Sequence, residues 1–226
     1  MKKITYCLLF LAGIVSSAYS QGCLPNGITF YEQSQVDNFQ QDYPGCTEIE
    51  GYVWITGNEI TDLNGLNTLS RIGGYLEISV CENLENLTGL TSLTEIQGEL
   101  FIFINPSLKS LSGLDNLTTL GQDLGLFDND SLNDISALYN CNSDLENLYI
   151  RNSPLLTSLH GLEHISNVNG DVWIKNTGIV DFSGMNNLKS IGGEFDVFCF
   201  TGCNLYLCVE VCTDCTIVFR CRRHAW

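Results

Sequence analysis

Basic residues are scarce. The 226-residue chain carries 10 lysines and arginines against 26 acidic residues, a formal net charge of −16 at pH 7. Nucleic acids and anionic membrane surfaces are recognised through clustered Lys and Arg, so this balance argues against both partners. A long apolar stretch is also missing: the run from Tyr6 to Val15 is too short to span a bilayer. No Gly-rich phosphate loop, nucleophile elbow or dinucleotide motif occurs. Charge of either sign is sparse at 16% of residues while 44% are hydrophobic, which argues against intrinsic disorder. The length allows one large domain or two small ones.

The N-terminus has the plan of a secretory signal peptide over residues 1–20. Lys2 and Lys3 precede the apolar run, and Ala18-Tyr19-Ser20 forms a small-x-small site before Gln21. A lipoprotein would need an aliphatic residue three positions before Cys23, where Ser20 stands. Cleavage after Ser20 removes Cys7 and leaves the other cysteines in an exported compartment where disulfides persist. The expected localisation is secreted or cell-surface, with no transmembrane anchor.

A repeat organises the middle of the chain. Related segments begin at Ile49, Ile72, Ile96, Leu120, Asp144, Val168 and Ile191, spaced by 23 or 24 residues, and are numbered here as coils 1 to 7. The fifth and seventh residues of each are apolar, as in Val53 and Ile55 or Leu100 and Ile102, the alternation of a short strand with one buried face. Leucines then recur every third residue, as in Leu84, Leu87, Leu90 and Leu93. That step suits short 3₁₀ or extended turns and is too tight for an α-helix. Gly65, Gly89, Gly113, Gly161 and Gly184, with Ala137 once, mark a tight corner in the return. Asn58, Asn105 and Asn129 share the tenth position with Cys81, where an inward side chain can satisfy turn backbone groups. Each repeat reads as one coil of a β-solenoid whose strands pair in parallel into one long sheet, with stacking supplying the core.

Strand residues between the buried ones face outward. The central outward column reads Trp54, Glu77, Phe101, Gly125, Tyr149, Trp173 and Asp196. Two residues earlier stand Tyr52, Tyr75, Glu99, Asp123, Asn147, Asp171 and Glu194; two residues later, Thr56, Ser79, Phe103, Phe127, Arg151, Lys175 and Phe198. Parallel strands lie about 4.8 Å apart, so these columns become ladders. Exposed rings repeated over several strands mark a partner surface, and planar rings also suit sugar faces. The candidate ligand-binding face is Tyr52, Trp54, Tyr75, Phe101, Phe103, Phe127, Tyr149, Arg151, Trp173 and Lys175.

The I-x-G-x-L-x-I strand, the L-x-x-L-x-G-L-x-x-L return and the coil of roughly 24 residues together resemble the receptor L domain, the leucine-rich β-solenoid of insulin-receptor and EGF-receptor ectodomains. The resemblance covers about residues 23 to 198 and lies nearest to secreted, acidic L-domain-like proteins of Bacteroidetes-type bacteria. It implies a mainly β, right-handed, leucine-rich-repeat-like solenoid over 49–198. It also implies a sheet face presented to ligands. An N-terminal helical cap over 21–48 fits: a short strand from Gly27 to Tyr31, then a helix from Ser34 to Tyr43 with Val36 and Phe39 on one face. A disulfide between Cys23 and Cys46 would staple that cap over the open end of coil 1. Cys81 and Cys141 fall in different inward columns two coils apart and read as buried thiols.

Other signals have simpler readings. His160-Gly-Leu-Glu-His164 matches an inverted zinc-protease pattern but coincides with the corner present in every coil. Asp128, Asp130 and Asp134 lack the glycine and terminal Glu of a calcium loop and read as a polar turn. Glu99 and Asp123 could serve as glycosidase carboxylates, yet acidic columns are ordinary on an acidic solenoid. Asn86-Leu-Thr88, Asn116-Leu-Thr118 and Asn129-Asp-Ser131 are glycosylation sequons, the last with an Asn expected to point inward. From Phe198 the leucine spacing stops and cysteines crowd the atypical tail, 199–226. Three readings of that tail compete: a disulfide-knotted cap, a metal site on Cys212-x-x-Cys215, and a frameshifted or truncated end replacing further coils. The function expected is recognition of an extracellular protein or carbohydrate, without catalysis, cofactor or metal. A polysaccharide-active enzyme and a purely structural surface protein are the alternatives.

Overall fold

The computed structural model describes residues 22–199. The leader expected over 1–20 and the tail expected over 199–226 lie outside the described residues, except that Cys199 ends the last described strand. The central element is an eight-stranded sheet in chain order. It runs from Ile28–Phe30 of the cap through Val53–Thr56, Leu76–Ser79, Leu100–Phe103, Leu124–Phe127, Leu148–Ser153 and Val172–Thr177 to Phe195–Cys199. Every pairing is parallel and, up to a register shift after Lys175 that sets Thr177 opposite Cys199, joins equal coil positions, so Val53, Leu76, Leu100, Leu124, Leu148, Val172 and Phe195 form one ladder. A one-residue slip would turn every leucine outward, so burial of one face fixes this register.

The single sheet expected from the sequence is accompanied by a second, narrow line of pairing. The opening residues of the coils form a four-stranded ribbon, Glu48–Ile49, Arg71–Ile72, Glu95–Ile96 and Thr119–Leu120, and a separate two-stranded ribbon, Asn167–Val168 with Ser190–Ile191. The break falls at coil 5. There Asp144, taken from the spacing as the coil's first residue, is exposed, and Leu145 points inward and bridges Val168 instead. The coil opening has slipped by one residue while the strand keeps its register.

The return segments bury Leu84, Leu87, Leu90 and Leu93, and their equivalents in other coils, completely. Short 3₁₀ turns occur at Asn64–Leu66, Thr88–Leu90, Ser136–Asn140 and Ser183–Met185, as the three-residue step requires. The corner glycines are imposed by stacking as much as by turn geometry: a Cβ on Gly89 would lie 1.9 Å from the Leu63 carbonyl oxygen of the preceding coil.

The tenth position supplies the internal polar ladder. Asn105 Oδ1 accepts the backbone N–H of Cys81 at 3.0 Å, and Asn105 Nδ2 donates to the Ile78 carbonyl at 3.0 Å. One coil later, Asn129 repeats the pattern towards Asn105 N–H and the Ile102 carbonyl at 3.1 and 2.9 Å. Ser153 and Thr177 continue the buried column. Asn58 departs from it and is exposed, because coil 1 is one residue shorter at this turn: Gly57 adopts φ +142 and Ile60 enters the core. Immediately before the tenth position, Val80, Ile104, Asp128, Asn152 and Asn176 all take left-handed φ near +55. Asp and Asn carry that conformation cheaply, whereas the β-branched Val80 and Ile104 hold it under strain.

The cap has the expected strand, but its helix is split at Asn38 into Gln33–Asp37 and Phe39–Asp42. Val36 and Phe39 are buried, and Phe39 meets Phe30 edge-on at 5.8 Å. Gln33 Oε1 accepts the N–H groups of Thr61 and Asp62, tying the cap to the coil 1 return. Cys23 and Cys46 are disulfide-bonded with Cα atoms 5.8 Å apart. The bridge closes a sequence separation of 23. Chain-entropy arithmetic for that loop makes replacement of both cysteines by serine cost roughly 3 kcal/mol, measurable as a lower urea midpoint.

Cys81 and Cys141 are buried free thiols. Burial pushes the Cys81 thiol up to about 11, against a partial offset from the Gly57 backbone. Its folded pKa exceeds its unfolded value, so the protonated thiol favours the fold below about pH 9 and this contribution is lost as pH rises through 11. Alkaline unfolding titrations are therefore expected to lose roughly 2–3 kcal/mol over that window through this group. In Cys81→Ala the loss should be absent.

Candidate functional site

The outward face is built by register. Successive pairings align Thr29, Trp54, Glu77, Phe101, Gly125, Tyr149, Trp173 and Asp196 in one ladder, and Thr56, Ser79, Phe103, Phe127, Arg151 and Lys175 in the next. The aromatic strip read from the sequence divides into two groups. In the first, Tyr52 and Tyr75 stack with centroids 5.1 Å apart and planes 8° from parallel, and Trp54 meets Tyr31 at 6.5 Å. Tyr31 is 57% exposed and was not singled out by the sequence, because it lies just beyond the cap strand and outside the repeat.

Polar residues separate the groups. Trp54 Nε1 donates to Ser79 Oγ at 2.9 Å, and the Ser79 hydroxyl donates to Glu77 Oε1 at 3.1 Å. Glu77 therefore interrupts the central ladder and orients the Trp54 indole. The Tyr75 hydroxyl pKa is raised, first by burial and then by Glu77, Tyr52 and Glu99.

The second group is longer. Phe101 and Phe127 lie 6.3 Å apart, Phe127 and Tyr149 6.3 Å, and Tyr149 and Trp173 5.0 Å. Gly125 makes this zigzag possible: a Cβ there would meet the Phe101 ring at 2.4 Å and the Phe127 ring at 2.6 Å. The central ladder has no side chain at that strand, and the Phe101 ring of the same column and the Phe127 ring of the next close over the glycine. Beside them opens a concavity of about 480 Å³ lined by Phe101, Phe103, Phe127, Tyr149 and Arg151, with Asp128 and Asn152 at its rim. Asp128 and Asn152 come from the left-handed turn after the strand, where Asn152 Nδ2 donates to Asp128 Oδ1 at 2.7 Å. Their recurrence in the ninth position was the signal that could have placed them.

The two cations of the second column differ. Lys175 Nζ is 2.6 Å from Asp196 Oδ2 and 4.7 Å from the Trp173 ring centroid, so its charge is matched on the face. Arg151 is exposed, and among the described residues no carboxylate lies within ion-pair distance of it. The Tyr149 hydroxyl pKa is raised, first by burial and then by Asp123 and Asp171. It stays protonated through neutral pH and remains a hydrogen-bond donor beside the rings.

The acidic column has a structural job. Asp123 Oδ1 accepts from Asn147 Nδ2 at 3.0 Å, Asn147 Oδ1 accepts the Asp171 N–H at 2.8 Å, and Asp171 Oδ1 accepts the Glu194 N–H at 2.7 Å. Asn147 and Asp171 cap backbone donors from coil to coil, and Asp123 holds the Asn147 amide. The His160 and Glu163 side chains pair across a turn, not on a helix, while His164 packs edge-on against Tyr139 at 4.8 Å. Among the described residues no group of three or more His, Cys, Asp or Glu is placed to hold a metal ion. None of their helices is long and apolar enough to cross a membrane. Asn129, the third sequon asparagine, is fully buried and closed to glycosylation, whereas Asn116 is exposed.

The receptor L domain family model matches residues 45–137, which span the end of the cap, coils 1 to 3 and much of coil 4. No curated protein and no solved structure matches the chain. The same corner and return continue through coil 6, and the same strand through coil 7. The likeness of residues 45–137 is to the receptor L domain, a family of ligand-binding modules.

Proposed function

We propose that the chain is an exported, non-catalytic recognition module that holds a protein or glycan ligand against the aromatic face of its parallel sheet. The observation that carries this reading is the ring series from Phe101 through Phe127 and Tyr149 to Trp173. These rings come from four successive strands, stand 5.0 to 6.3 Å apart and stay half-exposed. Rings that served only to stabilise neighbouring strands would gain most by full burial. A contiguous half-exposed apolar series on a polar surface marks a contact site. The Cys23–Cys46 disulfide supports an oxidising compartment.

The test is an array of glycans and cell-surface proteins probed with the wild type and with a variant carrying alanine at Trp54, Phe101, Tyr149 and Trp173. Loss of every wild-type signal with an unchanged circular dichroism spectrum is the expected result. Equal binding by the variant would refute the face.

A further inference from the structure

From the chemistry of the second ring group, we infer that the Arg151 concavity is a subsite for a sugar ring bearing an isolated carboxylate, a uronate or sialate flanked by neutral sugars. This rests on the aromatic face being the ligand surface.

Four observations converge. Main-chain hydrogen bonding on the face is already satisfied, because the strands here lie inside an eight-stranded sheet and offer no free edge to an extended peptide. Recognition must therefore come from side chains. The planes of Phe101, Phe127 and Tyr149, tilted by 30–35° from one ring to the next, form an apolar wall of the concavity that fits the C–H face of a pyranose. Beside that wall stands Arg151, exposed and, among the described residues, the one basic side chain lining the concavity and without an ion pair. A guanidinium takes a carboxylate in a two-pronged geometry that an ammonium cannot reproduce. At the rim, Asp128 and Asn152 present an oxygen acceptor and an amide, the groups that bind sugar hydroxyls.

Charge sets the limit on the ligand. The chain carries a net −16, and Asp123 and Asp171 stand near Tyr149 along the face. Lys175 is already matched by Asp196. One cation can accept one carboxylate, and a uniformly charged polyuronate would meet repulsion along the rest of the face. A glycan with its carboxylates spaced by neutral sugars avoids that.

The experiment titrates the full exported chain with 3′-sialyllactose and with a hyaluronan hexamer, each beside its uncharged counterpart, lactose and the carboxyl-reduced hexamer. A homogalacturonan hexamer and a random peptide library complete the set. The variants are Arg151→Gln, Arg151→Lys, Tyr149→Ala and, as a control on the opposite return, Lys109→Gln. Arg151 makes no ion pair among the described residues, so its variants should melt like the wild type. The inference expects at least one spaced-carboxylate probe to bind roughly ten- to hundredfold more tightly than its uncharged counterpart. Arg151→Gln should erase that difference, Arg151→Lys should restore it only in part, and Lys109→Gln should leave it intact. Raising salt should weaken binding little, because overall repulsion is screened along with the contact.

Neutral-glycan or peptide binding that is lost in Tyr149→Ala but unchanged in Arg151→Gln would overturn the subsite and leave the aromatic face standing. Binding indifferent to both changes would overturn the two together. Preference for homogalacturonan, or no acidic probe bound at millimolar concentration, would also overturn the subsite.

Discussion

Asn105→Ala is expected to destabilise the solenoid by roughly 3–5 kcal/mol, while Asn58→Ala at the equivalent repeat position changes stability by less than about 0.5 kcal/mol. Asn105 is completely buried, with hydrogen bonds to the Cys81 N–H and to the Ile78 carbonyl of the preceding coil. It also passes the ladder on, since its own N–H donates to Asn129 Oδ1. Truncation strands a buried donor and a buried acceptor with no room for bulk water, and leaves a cavity between coils. The loss is a large part of the stability of an ordinary domain and corresponds to a fall of roughly 10–15 °C in Tm. Asn58 is exposed, so its truncation leaves no comparable debt. Thermal and urea unfolding of the two variants side by side would check the pair, and equal destabilisation would show that the ladder is not what holds the turns.

Gly125→Val should separate binding from folding. Its Cβ would collide with the Phe101 and Phe127 rings, which are far ends of side chains on the outer surface and can swing away. The backbone gains a residue suited to a strand, offsetting part of the disturbance. Stability should move by no more than about 1 kcal/mol, whereas affinity for any ligand held by the ring series should fall at least roughly tenfold, because the wall against which it packs is splayed. Titration of the ligand selected by the wild type, with a melting curve on the same sample, checks both halves.

Much of this architecture was legible because a solenoid writes its contacts at one period. Val53, Leu76, Leu100, Leu124, Leu148 and Val172 are spaced in sequence as they are stacked in space, so the register and the outward columns followed from arithmetic. What the period hides is its own small violations. Coil 1 is one residue short at Gly57, so Asn58 leaves the column its spacing assigned to it, and coil 5 slips so that Leu145 replaces Asp144 inside. The site was legible as columns but not as groups. That Glu77 would divide the rings, that Gly125 would draw Phe101 and Phe127 together, and that Lys175 would be ion-paired while Arg151 is not, depend on rotamers and neighbouring turns. Tyr31, Asp128 and Asn152 lie outside the alternation altogether, in the cap and in left-handed turns.

The central claim is that ligand sits on the aromatic ladder, and the indole signals report on it directly. Trp54 Nε1–H is hydrogen-bonded to Ser79, whereas Trp173 Nε1–H is buried without an acceptor among the described residues. Their proton–nitrogen resonances should be distinct and assignable by substitution of each tryptophan. Titrating the isotope-labelled protein with its selected ligand should shift the Trp173 indole signal together with the side-chain signals of Tyr149 and Arg151. Saturable binding that leaves all three unmoved, and shifts instead the return-side residues around Tyr139 and His164, would contradict the account.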